Sequence, residues 1–93
     1  MDWEPYDPAW LVDWVRENVP GEPWLADALA RCTRAREESR AYLCFVDNAD
    51  ANGPGAEWRF ASNVVLEHPK EGTLVLDVLA DRRIGGIEFL RRL

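Results

Sequence analysis

The sequence has little of what catalytic chemistry draws on. It carries one histidine, His68, only two cysteines and few serines. Cys32 and Cys44 stand twelve positions apart and match no metal-binding or redox spacing. No phosphate loop, nucleophile elbow or set of triad candidates occurs. Long apolar runs are absent too, the longest falling far short of the roughly 20 residues a membrane-spanning helix needs. Met1 to Pro5 (MDWEP) has neither a basic start nor an apolar stretch, so it does not read as a signal peptide. Two free thiols in a reducing cytoplasm are the expectation. These absences imply no cofactor and favour a binding or regulatory protein over an enzyme.

What is present describes a small acidic domain. The chain has 93 residues, of which 47% are apolar, enough for a core without disulfide or metal staples. That content excludes a disordered chain, and the length accommodates one domain spanning 1–93. Asp and Glu outnumber Lys and Arg by 17 to 11, for a net charge of −6. Such a surface repels phosphate backbones, which argues against nucleic acid and anionic membranes as partners. It suits a basic protein partner, and a second copy of the chain is compatible with it.

The pattern predicts α+β architecture: an N-terminal arm over 1–7, two helices within 8–40, and an antiparallel sheet over 41–93. Asp7-Pro8 is a helix-start signal, and Trp10, Leu11, Trp14 and Val15 follow at helical spacing. Pro20-Gly21 ends that helix and Pro23 opens a second, whose stripe is Leu25, Ala28, Leu29 and Cys32. Arg31, Arg34, Arg36 and Arg40 are read as its last turns, where positive charge meets the helix dipole favourably. The short link predicts that the two helices pack as a hairpin on one sheet face.

From residue 41 the period becomes two. Ala41 to Val46 reads as a strand, and Asp47 to Ala56 (DNADANGPGA) as a polar loop. Strands follow around Trp58 to Leu66, Thr73 to Leu79, and Ile84 to Leu90, giving a three- to four-stranded meander. Gly85-Gly86 marks a β-bulge that lets Ile84 and Ile87 share a face. The last strand is expected at the sheet edge, guarded by Arg91 and Arg92 or covered by a partner.

Gly72 to Asp77 (GTLVLD) followed by Asp81 to Leu90 (DRRIGGIEFL) resembles a family of small bacterial domains of unknown function. Its members carry a strand ending in Asp, a short acidic turn, and a strand of the form hydrophobic-x-Gly-Ile-Glu-hydrophobic. Here that core is Gly86-Ile87-Glu88-Phe89-Leu90, and Arg82 or Arg83 stands where the turn usually has Gly. The resemblance covers the last quarter of the chain and implies an antiparallel hairpin in a bacterial protein. It implies no reaction.

Several constellations carry chemistry in principle. Asn48 to Gly53 partly matches a calcium loop, but position one is Asn48 and position twelve is Arg59 instead of Glu, so a polar loop is the reading. Asp77 and Glu88 lie on strands that pair, and with His68 they form the candidate polar site of an enzyme or ligand-binding domain. Solvated carboxylates on an open sheet face are the plainer reading. The arginine strip 31–40 suits an anion, although Glu37 and Glu38 interrupt it. Five tryptophans are many for this length, and four precede residue 25. Trp14 fits a core; Trp3, Tyr6 and Trp10 are the candidate partner-binding residues, of the types enriched at interface hot spots. The expectation is therefore a non-catalytic protein-binding or regulatory domain, comparable by analogy to small acidic immunity-type proteins.

Overall fold

The structure is a computed structural model that describes residues 2–46 and 60–93. Over the described residues it is α+β: two helices and a six-stranded, wholly antiparallel sheet. In chain order the elements are β1 (Glu4–Pro5), α1 (Ala9–Asn18), α2 (Pro23–Ala30), β2 (Arg34–Ser39), β3 (Tyr42–Cys44), β4 (Phe60–His68), β5 (Gly72–Leu79) and β6 (Ile84–Phe89), then a 3-10 turn over Leu90–Arg92. The Trp58 end of the expected strand and the Asp47 to Ala56 loop, with its calcium-like pattern, lie outside the described residues. Among the described residues no helix is long and apolar enough to cross a membrane.

Both helices form where the sequence places their starts. Asp7 Oδ1 accepts the Ala9 N–H at 2.9 Å, taking up one of the donors that a helix start leaves without an internal partner. Pro23 occupies the first turn of α2, where its missing N–H costs nothing. Leu11, Val12 and Val15 from α1 pack with Leu25, Ala28 and Leu29 from α2. The exposed Arg16–Asp27 pair, 3.6 Å apart, joins the helices at the surface, where solvent screening leaves it little weight.

The second helix ends about ten residues earlier than its composition suggests. Arg31, Ala35 and the glutamates are acceptable helix formers, yet Arg34–Ser39 is a strand. The segment has a single buried apolar residue, Ala35, so a helix there would have no stripe to bury. As a strand it needs to bury only Ala35, and its backbone pairs with β1 on one side and β3 on the other. Tertiary pairing thus overrides local propensity, and the arginines at 34 and 36 leave the helix terminus. The N-terminal arm is recruited by the same strand, with Glu4 opposite Ala35 and Pro5 opposite Arg34.

The strand order β1-β2-β3-β6-β5-β4 corrects the expected three- to four-stranded meander. Only β4, β5 and β6 follow one another as a meander; β3 then pairs with β6. The last strand is therefore central, and the expectation that it lies at the edge is wrong. Its composition explains this, since Ile84, Gly85, Gly86, Ile87 and Phe89 are all buried. The register slips between Asp77–Gly86 and Val78–Ile84, which makes Gly85 the extra residue of a bulge. Ile84 and Ile87 consequently both enter the main core.

Alternation along the strands assigns the two faces. Leu43, Ile87, Leu76 and Val64 form one row across β3, β6, β5 and β4 and pack toward the helices. The neighbouring row is Arg36, Cys44, Gly86, Asp77 and Asn63, on the face turned away from the helices. Arg82, in the β5–β6 turn, has φ +66°, the left-handed region that favours Gly.

Candidate functional site

A group of partly exposed aromatics lies at the junction of α1 and the β4–β5 turn. Trp10 and Trp14 are one helical turn apart and project on the same side of α1. His68, the last residue of β4, sits against both rings, with centroids 5.4 Å from Trp10 and 5.3 Å from Trp14. Its Nδ1 accepts the backbone N–H groups of Lys70 and Glu71, each at 3.1 Å. Those two donors set the ring's orientation and place its proton on Nε2. Trp10, Trp14, His68, Pro69, Lys70 and Glu71 line an open cleft of about 390 Å³.

The cleft stands on a firm base. Trp10 lies 6.3 Å from the buried ring of Phe89 at an interplanar angle of 25°, and its Nε1 donates to the Tyr6 hydroxyl at 2.9 Å. Tyr6 in turn contacts Phe45, 5.4 Å between centroids, and its N–H donates to the Thr33 carbonyl at 2.9 Å. Burial pushes the Tyr6 phenol up, with the Trp10 hydrogen bond opposing. Arg91 donates to the Lys70 carbonyl, and Arg92 pairs with Glu71 at 2.9 Å while its guanidinium lies 3.9 Å over Phe89. The chain's last turn therefore clamps the turn that carries the cleft.

A second polar group lies on the opposite sheet face. Tyr42 leans across Gly86, whose missing side chain makes room for its ring, and donates to Asp77 Oδ2 at 2.6 Å. At 7% exposure Asp77 is the one buried charged residue among those described. Burial pushes its carboxyl up, the Tyr42 hydrogen bond opposes this, and the negative charge of Glu88 adds to the rise. Burial, and then the bond to Asp77, push the Tyr42 phenol up as well. Asp77 thus has an internal partner in Tyr42.

This arrangement has a pH consequence. A carboxyl raised above its unfolded value holds its proton more tightly when folded. Its contribution is fully present below the ordinary carboxylate pKa and is lost as pH rises through the folded value. Asp77→Asn keeps an acceptor for Tyr42 without the charge. Urea titrations from pH 3.5 to pH 7 are expected to show wild type losing stability relative to this variant as pH rises. A gap that stays constant across that range would show that Asp77 is not raised.

The residues singled out in the sequence are thus redistributed. Asp77 and Glu88 do share a face, diagonally placed on β5 and β6. His68 does not join them; it lies on the helix-covered side with Tyr6 and Trp10. Trp3 separates from Tyr6 and Trp10, its ring covered by the guanidinium groups of Arg34 at 4.7 Å and Arg36 at 5.1 Å. Trp14 packs against the main core, as its spacing implies, and its half-buried ring also lines the cleft. Its position four residues after Trp10 was the available signal. Tyr42 carried none, being 35 residues from Asp77. Among the described residues no three His, Cys, Asp or Glu side chains gather as a metal centre requires. The chain matches no protein-family model, no curated protein and no solved structure.

Proposed function

We propose that this chain is a non-catalytic protein-binding or regulatory domain and that the Trp10–Trp14 cleft is its docking site. The observation that carries this reading is the cleft itself: two half-buried indoles and an imidazole in mutual contact around an open volume of about 390 Å³. Rigid aromatic surface of this kind supplies contact area at small entropic cost and is enriched at hot spots. Exposed Asp13 and Glu17 share the Trp10–Trp14 side of α1 at three-residue spacings, so a basic partner segment fits the approach. Tyr6 serves by holding Trp10, and Trp3 has no part in this site. Cys32 and Cys44 form no disulfide, which supports action in a reducing compartment such as the cytoplasm.

The test is capture from native cell lysate with tagged wild type and with Trp14→Ala. Trp14 donates no side-chain hydrogen bond among the described contacts, so its truncation should leave the fold intact, as checked by circular dichroism. A stoichiometric partner whose affinity falls at least tenfold in the variant is the expected result. A partner retained equally by the variant would move the site elsewhere, and an empty capture would overturn the binding reading. An enzyme or ligand-binding reading would then have to rest on Asp77 and Glu88 without His68.

A further inference from the structure

At the other end of the sheet the fold assembles a second cavity, of about 260 Å³, between the end of α2 and the start of β6. Arg31, Arg34 and Arg83 line it together with Phe45, Val46 and Ile84. Phe45, Val46 and Ile84 are all buried, so one part of the wall is apolar and the other is guanidinium. Among the described residues no Asp or Glu lines this cavity.

Among the described residues the arginine side chains are poorly neutralised: that of Arg31 makes no hydrogen bond or ion pair, and that of Arg34 meets only the ring of Trp3. Arg83 gives its Nε to Asp81 at 2.6 Å. The remaining described groups around the cavity supply no compensating charge. Burial pushes the Cys32 thiol up to about 12, against the smaller opposing effect of Arg31, so it stays protonated at neutral pH. Nor do the last α2 carbonyls stand free there: Ala28 O accepts from Arg31 N–H and Leu29 O from Cys32 N–H.

We propose that this cavity binds a small organic carboxylate with an apolar body, its head held by Arg31, Arg34 and Arg83 and its body against Phe45, Val46 and Ile84. Guanidinium groups present paired N–H donors that match a carboxylate, and the adjoining apolar wall selects against fully hydrated anions. The carboxylate can belong to a free metabolite-sized acid or to the C-terminus of a peptide ending in an apolar residue. The proposal is independent of the aromatic cleft.

The experiment is a titration of the ¹⁵N-labelled full chain, followed by backbone amide shifts, with four probes. These are phenylacetate, its neutral amide phenylacetamide, inorganic phosphate, and a tripeptide ending in free-carboxylate Phe. Saturable shifts confined to residues 31–34, 45–46 and 83–84 are expected with phenylacetate, with at least tenfold weaker binding of phenylacetamide. Arg31→Gln and Arg34→Gln, both at exposed positions, should each weaken phenylacetate by about tenfold while the rest of the spectrum stays in place. Tighter binding of the tripeptide than of phenylacetate assigns the peptide source, and the reverse order the free acid. Equal binding of phosphate and phenylacetate would overturn the proposal, as would phenylacetate shifts unchanged in both arginine variants.

Discussion

Gly86→Ala is expected to destabilise the domain by about 2–4 kcal/mol, a large share of the roughly 5–15 kcal/mol that holds a small domain folded. Gly86 is buried at the centre of the sheet, between Cys44 on β3 and Asp77 on β5. A methyl group there would collide with the Tyr42 hydroxyl and ring, and would approach the Leu43 carbonyl oxygen to 2.7 Å. Backbone oxygen cannot yield, so the tyrosine must. Its departure strips Asp77 of its hydrogen-bond donor while the carboxyl remains enclosed, which adds the cost of an unsatisfied buried group to the overpacking. Thermal denaturation should show a fall in Tm of roughly 10–25 °C. Gly21→Ala is the control, since nothing lies within 4 Å of the added methyl. If the two variants melt alike, Tyr42 does not occupy the space over Gly86.

Phe89→Ala is expected to cost about 3–5 kcal/mol, the range for losing a buried aromatic and leaving a cavity. Phe89 is 2% exposed and belongs to the main core with Leu74, Leu76 and Ile87. Its ring also supports Trp10 from below and carries the Arg92 guanidinium above, so its loss reaches the cleft as well as the core. Urea denaturation should show the loss of stability, and the tryptophan emission of the folded variant should shift as Trp10 loses its packing. Val65→Ala on the same sheet, at a position 59% exposed, is expected to stay within about 0.5 kcal/mol of wild type. Equal effects of the two substitutions would place Phe89 outside the core.

Much of the scaffold was legible in the residues because it is dictated locally. Pro8, Pro20 and Pro23 fix their own φ and lack an N–H, and Asp7 caps from the position before, so they mark helix ends wherever the chain goes. The alternation of Leu74, Leu76 and Val78 can bury its apolar side chains only as a strand. Two adjacent glycines between Ile84 and Ile87 signal the bulge, because an intervening extra residue is what brings both isoleucines to one face. The β2 segment illustrates the limit. Nothing local in RAREES favours a strand over a helix, and the outcome rests on hydrogen bonds to β1 and β3.

The candidate sites divide along the same line. Trp10 and Trp14 were visible as a pair because helical spacing is a local property, whereas His68 reaches them only through the path of β4 across the sheet. Trp3 and Tyr6, three residues apart, end on different faces, since β1 adopts the two-residue period of the strand it joins. By itself, then, the sequence determined the α+β composition, the helix starts, the C-terminal hairpins and the acidic balance. Only the tertiary structure decided that Tyr42 meets Asp77, that Arg83 stands beside Arg31, and that His68 leaves the carboxylates for the indoles. Spacing along the chain encodes backbone preference and facing, but not which strand becomes whose neighbour. That choice is made by burying all the apolar faces at once.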